Sequence, residues 1–129
     1  MRKTVRSTLE ETKVDETARP ASGAVVVRSG EGKPREYLGV TFDVLATAGR
    51  AMVTRMRYRV GMAAATHAHP HDQAGYVISG RYRQTIAGAT YELRPGDSYA
   101  IPGGIEHSME SLEGGEIIDV FTPPRDEFR

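Results

Sequence analysis

Cysteine is absent from the chain, which excludes disulfides, thiolate metal sites, iron–sulfur clusters and a cysteine nucleophile. Any bound metal must be held by histidine, carboxylate or amide oxygen. A charge excess is missing too: 17 Lys and Arg balance 17 Asp and Glu, which argues against a nucleic-acid partner held by a general basic surface. No apolar run approaches the ~20 residues that span a bilayer, and Met1–Ala21 lacks the apolar centre of a signal peptide. No membrane partner is expected, and the chain reads as cytoplasmic. Its 129 residues suit one ordinary domain and not two.

Residues 1–22 mix charges with Ser and Thr and offer little to anchor a core, so they read as a flexible N-terminal arm that orders, if at all, against a neighbouring subunit. Within it Thr8–Thr17 has the length of a short helix but only Leu9 and Val14 as apolar residues. Residues 23–129 read as a single all-β domain, because short β-type runs are punctuated by Gly and Pro and no long helical stripe appears. The runs are 24–28, 37–45, 52–60, 75–79, 81–86, 90–93, 98–101, 107–110 and 116–122. Period-two alternation in 52–60 sets Met52, Met56, Tyr58 and Val60 on a core face and Arg55, Arg57 and Arg59 on the other.

The chain's 4 histidines fall in two places: His67, His69 and His71 together, and His107 far downstream. In extended backbone residues i and i+2 share a side, so His67 and His69 can face one cation and His107, from a neighbouring strand, can close the site. Gln73, past the bend expected at Pro70, can add an amide oxygen. The competing reading is a polar loop decorated with histidines, and His71 fits that or an outer, supporting place better than a ligand position.

With their flanking glycines these residues resemble the two motifs of the cupin superfamily. Gly61, His67, His69, Gln73 and Gly80 fit the spacing of the first; Gly96, Pro102, Gly104 and His107 fit the second, with Ser111 where Asn is usual. The resemblance implies a double-stranded β-barrel of two antiparallel sheets, jelly-roll-like, with one divalent metal inside the mouth and a homodimeric assembly. Zinc, nickel, manganese and iron all suit neutral His and Gln ligands.

The tail from Asp119 through Phe121 to Arg125 is similar to that of the small pectin-degradation cupins called KdgF. That likeness implies ketonisation of an unsaturated uronate, an isomerase-type proton transfer on an acidic small molecule, with Asp119, Phe121 and Arg125 as catalytic or pocket residues. Read from the residues alone, Ile117, Asp119 and Phe121 share one strand face. Asp119 is a proton carrier beside a cation or a strand-end carboxylate paired with Arg125; Phe121 is a pocket wall or core; Arg125 grips a substrate carboxylate or anchors the C-terminus. A cupin dioxygenase, a polyketide-cyclase-type enzyme and a non-catalytic sugar-acid binder remain alternatives.

Overall fold

The computed structural model of the chain describes residues 23–129; the arm at 1–22, and the short helix considered for Thr8–Thr17, lie outside the described residues. Ten strands follow one another: β1 (Lys33–Tyr37), β2 (Val40–Thr47), β3 (Met52–Tyr58), β4 (Ala63–His67), β5 (Asp72–Val77), β6 (Arg81–Ile86), β7 (Ala89–Leu93), β8 (Ser98–Ile101), β9 (His107–Glu113) and β10 (Gly115–Thr122). A single 3-10 turn, Asp126–Phe128, ends the chain. Strands β1-β2-β3-β10-β5-β8 form a six-stranded sheet and β4-β9-β6-β7 a four-stranded one. Every strand pairing in both is antiparallel, so the all-β, two-sheet expectation holds.

Alternation decides what lies between the sheets. On β3 Met52, Thr54, Met56 and Tyr58 are buried while Val53, Arg55 and Arg57 are only half-buried, and on β10 Ile117, Asp119 and Phe121 point inward. Phe42, Met52, Val77, Tyr82, Ile117 and Phe121 pack into one cluster that Phe128 joins from the terminal turn. Burying side chains of this size stabilises by about 1.5–3 kcal/mol each relative to exposure. On the outer face Arg55 and Arg57 reach back to the Asp43 carboxylate on β2.

Several strand boundaries differ from the sequence reading. Residues 24–28 form no strand: Val25 and Val26 are 55% and 70% exposed, because three successive valines do not alternate and no described strand lies beside them. The run 37–45 is two strands joined by a tight turn in which Leu38 and Gly39 both have positive φ, 52° and 81°. Such turns normally advertise themselves with Asn, Asp or Gly at the first of these positions, and leucine hides this one. β4 went unread because Ala63–Ala65 carry no β-branched or aromatic signal. Val60, expected inside, is 70% exposed because β3 ends at Tyr58 and the chain turns at Gly61. Ser111, where the cupin motif usually has Asn, is buried within β9.

Candidate metal centre

His67 and His107 are cross-strand partners, the last residue of β4 opposite the first of β9, with ring centroids 4.3 Å apart. His69 follows just beyond β4, its ring 5.7 Å from that of His67 and 5.0 Å from that of His107. One ring nitrogen from each of the three lies within 4.8 Å of the others.

Backbone carbonyls set the tautomers. His67 Nδ1 lies 2.8 Å from the Ala65 oxygen, His107 Nδ1 2.9 Å from the Ile105 oxygen and His69 Nδ1 3.0 Å from the His71 oxygen. A carbonyl only accepts, so each Nδ1 carries the proton and each Nε2 keeps its lone pair. Burial, then the Arg125 guanidinium, lowers His69 to about 4; burial likewise lowers His107. Both are neutral at pH 7, the form that ligates a cation.

Gln73, inward on β5, completes the arrangement. Gln73 holds the Asp119 carboxyl and the Tyr99 phenol lower than they would otherwise stand. Its Oε1 comes within 3.0 Å of His69 Nε2. Two lone pairs thus aim at one place, and His107 Nε2 is buried with no partner at all. These residues fit a divalent cation: three imidazole nitrogens within 4.8 Å of one another and an amide oxygen 3.0 Å from one of them can offer lone pairs to a single ion.

The two motif segments are locked together by backbone. Gly104, at φ +83°, donates its N–H to the His69 oxygen at 2.8 Å, and Gly103 N–H donates to Asp72 Oδ1 at 2.8 Å. A side chain on Gly103 would strike the Pro70 carbonyl. The loop before β9 therefore holds the histidine loop in place. His71 contributes its carbonyl to His69; its own ring lies outside the three-histidine cluster.

Asp119, 2% exposed, is no strand-end carboxylate paired with Arg125. Tyr99 donates its hydroxyl to Oδ1 at 2.6 Å. Burial raises the Asp119 carboxyl to about 6, against the pull of Tyr99, Gln73 and Arg125. Tyr99 and Asp119 are the register partners of Gly75 from either side, and a Cβ on Gly75 would fall within the Tyr99 ring. Arg125 is buried instead among aromatic rings, its guanidinium carbon 4.2 Å from the Phe128 centroid, 4.8 Å from Tyr37 and 5.2 Å from Phe121. It donates through Nη2 to Glu127 Oε2 at 2.8 Å. Phe121 is both core and wall, with its edge against His69 at 5.8 Å.

His67, Gln73, His107, Asp119, Phe121 and Arg125 all line one narrow cavity of about 50 Å³ between the sheets. Sequence reasoning missed four neighbours: Tyr99, Glu127, Tyr37 and Gln84, the last a buried glutamine on β6. For Gln84 a signal existed, since period two sets it on the same face as Tyr82.

Residues 54–121 match the model of the cupin domain family Cupin_2; the chain belongs to the cupin family. It is a KdgF-like member. It is 30% identical over 92 residues to the pectin degradation protein KdgF of Dickeya dadantii, covering 70% of this chain and 84% of that protein. The structure of KdgF from a Halomonas species superposes with a TM-score of 0.75 at 27% identity, over 81% of this chain and 98% of that one. A shorter stretch of 57 residues is 40% identical to the HTH-type transcriptional regulator PuuR of Escherichia coli, 43% of this chain but 31% of the regulator. Among the described residues no helix is long and apolar enough to cross a membrane.

Proposed function

We propose that this chain is a metal-dependent isomerase that ketonises an unsaturated monouronate, with His67, His69, Gln73 and His107 holding one divalent cation and Asp119, Arg125 and Phe121 serving the substrate. The observation that carries this reading is a buried carboxyl, Asp119, on the wall of the same cavity as His67 and His107 of the three-histidine cluster. The likeness to pectin-degradation KdgF supports the substrate class.

Opening the ring form and ketonising it breaks the bond between the anomeric carbon and the ring oxygen. The anomeric hydroxyl becomes a carbonyl, and its proton is delivered in the end to ring carbon 4, leaving a ketone at carbon 5. The reaction is an isomerisation and consumes nothing. When bound, the cation supplies Lewis-acid polarisation of substrate oxygens. Asp119, buried on the cavity wall and held by Tyr99, takes and returns the proton. Tyr99 keeps Asp119 from turning away. Arg125 exchanges its Glu127 partner for the substrate carboxylate, which a planar guanidinium grips with two parallel bonds. Phe121 and Phe128 exclude water around it.

Metal-replete protein should consume a 4,5-unsaturated galacturonate, followed by its ultraviolet absorbance, with no uptake of oxygen. Oxygen uptake coupled to turnover would move the assignment to the dioxygenase reading. The match to a transcriptional regulator favours a second reading, a sugar-acid sensor; ligand recovered unchanged after long incubation would favour it. We propose further that the protein is a cytoplasmic homodimer, which a monomer mass in light scattering at micromolar concentration would refute.

A further inference from the structure

Gln84 stands inward on β6, 2% exposed, and its Oε1 is buried without a hydrogen-bond partner. Glutamine is among the residues least often buried, and a buried amide oxygen without a partner carries an uncompensated desolvation penalty. The cross-strand neighbour of Gln84 on β9 is the buried Met109, and a methionine of similar length would fill the space with no polar atom to satisfy.

Its position is informative. Gln84 pairs with Met109, and Ile86 pairs with His107, so Gln84 lies one inward step deeper in the barrel than His107, about 7 Å along the strand. It lines the same cavity as His67, His107, Asp119 and Arg125. A ligand whose chelating oxygens meet the histidines would bring a hydroxyl a few carbons further along its chain to the amide.

We infer that Gln84 is a specificity-determining residue: its amide oxygen accepts a hydrogen bond from a hydroxyl of the bound acid, remote from the chelating end, and so selects polyhydroxylated acids over short or deoxygenated ones. This rests on the reading of the cavity as a sugar-acid site. The orphaned oxygen in the ligand-free protein is then the cost of a contact made only when substrate is present. Replacing it should relieve the free protein and weaken the complex.

The test is Gln84→Met in metal-loaded protein, with four readouts. The Tm without ligand should hold or rise by a few degrees, since removing an unpaired buried amide is neutral or stabilising. Calorimetric affinity for D-galacturonate, a probe carrying the remote hydroxyls, should fall about tenfold, the worth of one hydrogen bond. Affinity for glycolate, which reaches only the metal end, should be unchanged, as should metal content. A Tm lowered by several degrees would mark Gln84 as structural and overturn the inference, and so would galacturonate affinity equal to that of the parent protein or absent from both. Turnover of unsaturated uronate is scored separately: a parent protein that binds galacturonate with the predicted Gln84 dependence but turns nothing over would leave the inference standing and sink the isomerase reading.

Discussion

Two patches of buried polarity face each other across the barrel, and they are built on opposite plans. On the six-stranded sheet Asp119 accepts from Tyr99, and Thr54 donates to the Asp119 carbonyl at 3.1 Å. On the four-stranded sheet His107 Nε2 and Gln84 Oε1 are buried with nothing to meet them. A buried polar atom without a partner costs about 1–3 kcal/mol, so chains seldom keep one unless something from outside supplies the partner. The first patch already has its partners and so holds Asp119 in place; the second offers polar atoms that a cation and a ligand would satisfy, as proposed above.

Asp119→Asn should break the first patch with the largest effect. Fold and metal content should be retained while kcat falls by roughly two to four powers of ten, the usual worth of a positioned acid or base; stopped-flow or absorbance kinetics would read it. Full activity in that variant would reject Asp119 as proton carrier. Gly75→Ala should follow, because the methyl group must displace Tyr99 or Asp119. Denaturant unfolding should show a loss of about 1–3 kcal/mol from overpacking, together with slower turnover. Unchanged stability and rate would mean that the Tyr99–Asp119 contact does not depend on the bare glycine.

Arg125→Lys sits between the two faces and should act on binding. An ammonium cannot reproduce the two-pronged grip, so KM for a carboxylate substrate should rise about tenfold with a smaller change in kcat. A fall in kcat alone would place Arg125 in the chemistry. The smallest effect is expected outside the cavity, at Asp43. The hydrogen bond from Arg57, helped by Arg55, holds this carboxyl below its ordinary value against the opposing effect of burial. A carboxyl depressed in this way binds its proton less readily folded than unfolded. Its contribution is therefore complete above the ordinary carboxylate value, roughly 4, and is lost as pH falls through the depressed one. Asp43→Asn should cost at most about 1 kcal/mol at neutral pH and nothing extra in strong acid, as urea unfolding across pH would show.

The histidine half of the site is legible in the sequence because its determinants are local. Extended backbone fixes where His67 and His69 point, and the glycines at 61, 80, 96 and 104, all at positive φ, fix the turns around them. The resemblance of the tail to that of the KdgF cupins points to Asp119 and Phe121, and strand period agrees in setting them on one face. What resisted reading depends on register between strands far apart in sequence: Tyr99 meets Asp119 only because β8 and β10 flank β5 with Gly75 between them. Of the two readings open for Asp119, pairing with Arg125 is not the one found, since the terminal turn brings Glu127 within reach of Arg125 while the strand keeps Asp119 on the other network. The hairpin at Leu38–Gly39 was concealed by a residue that rarely takes a positive φ. With it went the position of Tyr37, one wall of the Arg125 cage.

The central claim is that the unsatisfied face becomes a working centre once it holds a cation. Proton NMR of a 4,5-unsaturated galacturonate tests it most directly, comparing metal-loaded parent protein with the double variant His67→Ala, His107→Ala. The ring-form resonances should disappear with the parent and persist with the variant, which should also retain no metal after dialysis. Equal loss of the ring form in both, or stoichiometric metal still bound to the double variant, would contradict the account.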